Sequence, residues 1–149
     1  CTCPQKHIQA YRNRLSGPVY DRIDILLSLQ SVKLDQPSKL LETSIEIRKR
    51  VENARQIQYE RYHADISNAK VQFELILQTS PLADAQQRML GQVAAKQNWS
   101  NRVQIKIIRL ARTISDLAGE ERISDTSIWK AMTLRRLTHS KIHMIARET

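Results

Sequence analysis

The sequence predicts a mainly α-helical chain, with a bundle of four or five helices preceded by a stub that contains one strand. Gly and Pro are scarce, at 3 and 4 of 149 residues, so few residues favour the tight turns between strands. Apolar residues recur at steps of three and four along most of the chain, which is the helical period. One apolar run, 23–29, instead has the length and content of a buried strand.

The bulk composition limits the size and the partners of the protein. A chain of 149 residues suits one domain, or a small domain with part of another. The net charge of +9 attracts polyanions such as nucleic acid or nucleotide phosphates. No apolar run approaches the roughly 20 residues that span a bilayer, and no leader is evident. We therefore expect no membrane partner and a cytoplasmic protein.

The two cysteines, Cys1 and Cys3, are too close in the chain for an unstrained disulfide. This favours a reducing compartment. Together with His7 they would supply fewer than the four ligands of a structural zinc site. We regard the pair as a weak half-site and expect no bound metal. A chain that opens with Cys instead of Met is expected to belong to a longer or processed protein.

Helix signals begin after a probable linker, 34–42, which follows the stub, 1–33. Thr43 and Glu46 have the spacing of a capping box. The first long helix should run to about Tyr62. The expected inward face of this helix consists of Ile47, Val51, Ala54 and Ile57.

Three or four further helices complete the predicted helical domain, 43–137, before a tail, 138–149, without a clear pattern. A short helix is expected at 68–77, and the pair Ser80-Pro81 should begin the next. The inward face of that next helix should be Leu82, Ala85, Met89, Leu90 and Val93.

The clearest helix begins at Ser100 or Asn101 and ends at Gly119, which suits the left-handed position after a helix. Its apolar stripe consists of Val103, Ile107, Leu110, Ala111, Ile114 and Leu117. Ser124 or Asp125 should cap a last helix, with Ile128, Ala131 and Met132 directed inward. Trp99 and Trp129 are expected in the core or in a groove.

Three segments carry a resemblance to the magnesium-chelatase-like AAA+ ATPases of the ComM/YifB type. They are SGPVYDRIDILLSL (16–29), SIEIRKRVENARQIQYER (44–61) and SNRVQIKIIRLARTISDLAGEERIS (100–124). The resemblance implies the end of an α/β ATPase core followed by a helical lid. It also implies a parent protein that forms a hexameric ring, uses ATP and Mg²⁺, and acts on DNA in competence.

The chain lacks the residues that such an ATPase needs to hold ATP. A phosphate loop ends in Gly-Lys-Ser/Thr, yet none of Gly17, Gly91 and Gly119 precedes that pair. No apolar strand ends in the Asp-Glu pair that serves magnesium and water. We expect the isolated chain to bind no cofactor and to have no ATPase activity. Its expected partners are the rest of its own core and further copies of itself.

The resemblance assigns roles to three arginines. Arg22 matches the finger that these ATPases insert into the neighbouring subunit's site, where a guanidinium stabilises charge on the γ-phosphate. An ion pair of Arg22 with Asp21 or Asp24 is the alternative. Arg102 matches the lid arginine called sensor 2, and Arg109 is the alternative nucleotide contact.

Arg102, Lys106, Arg109 and Arg112 are predicted to follow one stripe of this helix. For Lys106 and Arg112 we expect a solvated polar face. A different function is also open: a stand-alone basic helical module could bind nucleic acid without using nucleotide. Salt-sensitive DNA binding by the isolated chain would distinguish it.

Overall fold

The computed structural model describes residues 3–12, 22–25, 27 and 42–134. This part of the chain is mainly helical, which confirms the predicted fold class. Five of its helices are α1 (Gln5–Arg12), α2 (Ser44–Tyr62), α3 (Phe73–Thr79), α4 (Asp84–Lys96) and α5 (Asn101–Leu117). A sixth, α6, spans residues 125–134.

The predicted strand, 23–29, falls on a segment of which positions 23–25 and 27 are described, and these positions carry no strand. A strand without neighbours leaves its backbone N–H and C=O groups unpaired, so this segment has no local reason to be extended. The rest of the predicted strand, the tail, 138–149, and all of the predicted linker except Glu42 lie outside the described residues.

The predicted start and end of the first long helix are confirmed in α2. Thr43 Oγ1 accepts a hydrogen bond from the N–H of Glu46, and Glu46 Oε2 accepts one from the N–H of Thr43 at 2.7 Å. This reciprocal pair satisfies two N–H groups that the first helical turn leaves without partners. The helix ends at His63, whose φ of 50° is left-handed.

The inward face of α2 differs from the prediction. Its buried residues are Ala54, Gln58 and Tyr62, whereas Ile47 and Val51 are 43% and 45% exposed. All three buried residues lie in the C-terminal half of the helix. The apolar stripe therefore continues beyond the part of α2 that packs against the other described helices.

The start of α4 was predicted three residues too early. Ser80 ends α3 by donating its N–H to the carbonyl of Ile76, and α4 begins at Asp84. The intervening residues bury Leu82, which is 7% exposed. A helix started at Pro81 would carry that side chain elsewhere. Ala85, predicted to be inward, is exposed.

The predicted start and end of α5, and the predicted start and inward face of α6, are confirmed. Ser100 Oγ accepts from the N–H of Val103, and Gly119 follows α5 with a φ of 71°. Ser124 caps α6 by accepting from the N–H of Ser127 at 3.2 Å. The core beneath these helices consists of Tyr62, Val71, Ile76, Leu82, Leu90, Ala94, Trp99, Ile107, Ile108, Ala111, Ile123, Ile128, Ala131 and Met132.

The two tryptophans were both expected in the core or in a groove, and their environments differ. Trp99 is 7% exposed and belongs to the core, but Trp129 is 47% exposed on α6. Among the described helices, none combines the length and the apolar character that a bilayer crossing requires.

Candidate functional site

A cleft of about 420 Å³ lies along α5, and its lining among the described residues includes four cationic side chains and one carboxylate. The arginines predicted as site residues, Arg22, Arg102 and Arg109, all lie in this cleft. The remaining lining residues are Asp24, Ala69, Lys106, Leu110 and Thr113. An excess of fixed positive charge in a concave surface favours an anionic ligand.

Lys106 joins α5 to the segment that carries Arg22. Its Nζ donates to the backbone carbonyl of Arg22 at 3.0 Å and forms an ion pair with Asp24 Oδ1 at 2.9 Å. The Lys106 side chain is only 17% exposed. The expectation that Lys106 belongs to a solvated face is therefore wrong. An ion pair with Asp21 or Asp24 was the alternative role for Arg22. Asp24 forms its ion pair with Lys106. Asp21 lies outside the described residues.

Arg109 binds the loop 63–72, which lines the cleft through Ala69. Its two terminal nitrogens donate to the carbonyls of Ala69 and Val71 at 2.8 and 2.7 Å. These acceptors are neutral, so the positive charge of the guanidinium still acts on the cleft. Two charge-assisted hydrogen bonds also hold the side chain in place, which leaves Arg109 little freedom to reach a ligand.

Arg102 has a different environment. It is exposed in the first turn of α5 and makes no hydrogen bond or ion pair with the described residues. The partial positive charge at a helix N-terminus adds to that of the guanidinium. Of the two arginines predicted as nucleotide contacts, Arg102 is thus the one whose donors are available for an anion.

Arg112 was expected on the solvated polar face of the helix, and that expectation is wrong. It is not among the residues that line the cleft. Its side chain is fully buried and pairs with Asp116 one turn later on α5. Burial lowers the pKa of Arg112, while the Asp116 carboxylate opposes that effect. Because a guanidinium stays protonated in proteins, this remains a buried charge pair.

Asp116 is the centre of a buried polar network behind the cleft. Its oxygens accept hydrogen bonds from Arg61 at 2.5 and 3.1 Å and from Asn68 at 2.7 Å. Asn68 also donates to Thr113 Oγ1 at 3.1 Å, and Thr113 lines the cleft. The network therefore connects α2, the loop 63–72 and α5 directly behind the cationic residues.

The sequence analysis missed this network, although one signal was available. Arg112 and Asp116 are four residues apart, the spacing at which opposite charges meet on a helix. The observed buried face of α5 is Ile107, Ile108, Ala111, Arg112, Ser115 and Asp116. It is rotated from the predicted apolar stripe, and no local pattern distinguishes this ion pair from a solvated one.

A second groove, of about 640 Å³, lies between α2 and the C-terminal end of α5. It contains none of the predicted site residues. Lys49 and Arg50 in its wall are balanced by Glu46 and Glu60, and Arg50 forms an ion pair with Glu42. Because charges of both signs line this groove, it has no clear preference for an anion. The cleft along α5 is the better candidate site.

The predicted weak metal half-site gains no further ligands from the described part of the chain. Cys3 is exposed with a free thiol, and Cys1 lies outside the described residues. No group of three or more His, Cys, Asp or Glu side chains suited to a metal ion occurs among the residues described.

Comparison with known proteins identifies the class to which this helical domain and its cleft belong. Residues 41–135 match the family described as magnesium chelatase, subunit ChlI C-terminal, and residues 1–37 match magnesium chelatase, subunit ChlI. The chain belongs to the magnesium chelatase family, and its helical part is the C-terminal lid domain of such a protein.

Two individual proteins are similar to this chain over most of its length. The chain is 34% identical over 139 residues to the competence protein ComM of Haemophilus influenzae, an alignment that covers 91% of the chain and 27% of ComM. It is 29% identical over 145 residues to the uncharacterized protein YifB of Salmonella typhimurium, covering 95% and 28%. The chain thus spans a little over a quarter of the length of these relatives.

Proposed function

We propose that this chain forms the lid, with the adjoining end of the ATPase core, of a ring-forming ATP-driven motor, and that the cleft along α5 contacts nucleotide phosphates. The observation that carries the proposal is the convergence of Arg22, Arg102, Lys106 and Arg109 on one cleft, where Asp24 is the only carboxylate among the described lining residues. Phosphoryl transfer needs fixed positive charge where negative charge collects on the phosphate oxygens.

Within this proposal, Arg102 is the sensor 2 residue and Arg109 supports the cleft. The guanidinium of Arg102 has no partner among the described residues, whereas Arg109 already donates to Ala69 and Val71. A residue that contacts the nucleotide only when it is bound must keep its donors available. In this proposal Arg102 contacts the phosphate, and Arg109, two turns later on α5, holds the loop.

Arg22 is the proposed arginine finger, acting on the site of a neighbouring subunit. It lines the same cleft as Arg102. Two arginines that share a cleft would reach the phosphates of the same nucleotide, so in this proposal both act across the subunit interface. Action across an interface would need a neighbouring copy of the protein, and we propose a hexameric ring.

The nucleotide itself would be held by the ATPase core of the neighbouring subunit. The cationic donor set of the cleft fits phosphate oxygens, but the described residues offer no cluster of carboxylates for Mg²⁺. Hydrolysis of bound ATP to ADP and phosphate would supply the free energy for the motor. The residues of this chain would orient its phosphates and stabilise their charge, while a phosphate loop in the rest of the protein binds ATP and Mg²⁺.

We further propose that the substrate is DNA. The similarity to a protein named for competence supports this. The +9 net charge agrees with it, since basic surfaces attract the phosphate backbone. Because ATP and chromosomal DNA are cytoplasmic in bacteria, a cytoplasmic location belongs to the same proposal.

ATP turnover by the whole polypeptide tests the proposal. Replacing Arg22 or Arg102 by Ala should reduce kcat by about 10²- to 10⁵-fold, the range of losses seen when a charge-stabilising group is removed. Arg88→Ala is the matched control, because Arg88 is exposed on α4 outside the cleft. Full activity of both cleft variants would refute the proposal, as would ATP turnover by the 149 residues alone.

Mixing subunits tests action across the interface. Subunits with Arg22→Ala keep their own phosphate loop, and subunits with a disabled phosphate loop keep Arg22. If the finger acts on the neighbour, mixed rings should regain activity that neither parent shows. If mixing restores nothing although mixed rings form, Arg22 does not act in trans.

A second candidate is a basic module that binds nucleic acid without nucleotide. Arg48, Lys49 and Arg55 are exposed on α2 and form no ion pair with the described carboxylates, unlike Arg50. This function predicts DNA binding by the isolated chain that weakens steeply as salt rises. Replacing all three residues by Gln should abolish it, whereas Arg102→Ala should not. The lid proposal predicts little affinity of the isolated chain for DNA.

A further inference from the structure

We propose that Lys106 is a positioning residue that fixes Arg22 in the cleft and so couples the orientation of α5 to the placement of the finger. This inference rests on the proposed role of Arg22 in ATP hydrolysis. Lys106 matches no assigned functional position, and its sequence context indicated only a solvated lysine.

Both contacts of Lys106 lie just C-terminal to the Cα atom that carries the Arg22 side chain. Its ammonium group donates to the carbonyl of Arg22 itself at 3.0 Å and pairs with the carboxylate of Asp24, two residues later, at 2.9 Å. An ammonium group has three donors, so it can serve both acceptors at once. The backbone that carries Arg22 is thereby fixed relative to α5.

Burial strengthens this attachment. The Lys106 side chain is 17% exposed, whereas that of Asp24 is 57% exposed. An ion pair between two exposed residues contributes little, because water and salt screen it and two long side chains must be ordered. Here the lysine is already ordered within the cleft wall, and only the short carboxylate must be held.

The position of Lys106 on α5 explains why this attachment matters for function. Lys106 lies four residues after Arg102, so the two share a face of the helix. A rotation of α5 therefore moves Arg102 directly and moves Arg22 through Lys106. Since a displacement of about 1 Å can cost about 10²-fold in rate, catalysis should depend on this link even though Lys106 need not touch the nucleotide.

Steady-state ATP hydrolysis by the whole polypeptide tests this role. Lys106→Met retains the length of the side chain but removes the ammonium group. It should lower kcat by about 10- to 100-fold with little change in KM for ATP. Lys106→Arg should recover part of the rate. In an Arg22→Ala background, Lys106→Met should have no further effect, because a residue that acts only through Arg22 has nothing left to position.

A direct test of the attachment does not depend on catalysis. A protease that cleaves before Asp should cut the isolated chain at the 23–24 bond several-fold faster in Lys106→Met than in the wild type, as followed by mass spectrometry. Lys130→Met, an exposed change on α6, is the control and should leave the rate unchanged.

The outcomes separate the two hypotheses. Unchanged cleavage of Lys106→Met, or a further loss of kcat in the double variant, would overturn the positioning role. Full ATP turnover by Arg22→Ala would instead overturn the finger role on which it rests. Faster cleavage together with a non-additive kcat loss supports both.

Discussion

Arg112 and Asp116 form an ion pair one turn apart on α5, and both side chains are completely excluded from solvent. Arg112 also donates to the carbonyls of Glu120 and Glu121 at 2.6 and 2.9 Å, so the turn after the helix is tied to the same guanidinium. Buried charges are tolerated only when they are paired and hydrogen-bonded. The network around Asp116 meets that condition, which makes each member hard to replace.

Replacing Asp116 by Ala should therefore destabilise the chain strongly. It leaves the buried charge of Arg112 without its partner, and breaking such a pair costs about 3–5 kcal/mol. Urea unfolding followed by circular dichroism measures the change. Asp65→Ala is the control, because Asp65 is exposed in the loop after α2. Equal unfolding midpoints for the two variants would contradict a structural role for this network.

Arg109 and Arg102 should differ in their effects on stability. Arg109→Ala removes two charge-assisted hydrogen bonds to the carbonyls of Ala69 and Val71, and should cost about 1.5–3 kcal/mol. Arg102→Ala removes an exposed side chain and should change stability by less than about 0.5 kcal/mol. Thermal unfolding of both variants checks this. If Arg102→Ala is the more destabilising change, the proposed division of roles is wrong.

Two isoleucines provide a matched test of the core. Ile107 is 1% exposed at the centre of α5, and Ile107→Ala should cost about 2–5 kcal/mol through lost packing and a residual cavity. Ile47 is 43% exposed on α2, and Ile47→Ala should cost less than about 1 kcal/mol in the isolated chain. Guanidinium unfolding measures both. A large loss for Ile47 would mean that another part of the chain covers it.

Glu120 should contribute stability that depends on pH. Hydrogen bonds from Ser124 and Ser115 hold the pKa of the Glu120 carboxyl below its ordinary value of 4.5. A lowered pKa in the folded state means that the contribution is present above about 4.5 and is lost as pH falls through the folded pKa. Glu120→Gln should thus be destabilising at pH 7, and the difference should disappear near pH 3. Urea unfolding of the wild type and Glu120→Gln at pH 7 and pH 3 measures this, and an equal difference at both pH values would contradict it.

Capping residues in the sequence predicted the helix boundaries at which they occur. Thr43 and Glu46 defined the start of α2, and Gly119 defined the end of α5. The start of α4 could not be predicted in this way, because Ser80-Pro81 fits a helix start as well as it fits the turn that buries Leu82. Only packing against the core decides between the two.

The candidate site was predictable in its arginines but not in their contacts. The steps between Arg102, Lys106 and Arg109 place these residues on one face, which the structure retains. Arg109 binds a loop about 40 residues earlier in the chain, and Lys106 binds a segment 84 residues earlier. Both contacts depend on the tertiary structure. No local pattern contains that information, and the same applies to the pairing of Asn68 with Asp116.

The loop 63–72 contains no helix or strand, and side chains of α5 secure it at several points. Asn68 binds Thr113 and Asp116, while Arg109 binds the carbonyls of Ala69 and Val71. The loop and α5 therefore behave mechanically as one body. When α5 turns, this wall of the cleft turns with it, and residues 22–25 follow through Lys106. Both walls of the cleft therefore take their position from a single helix.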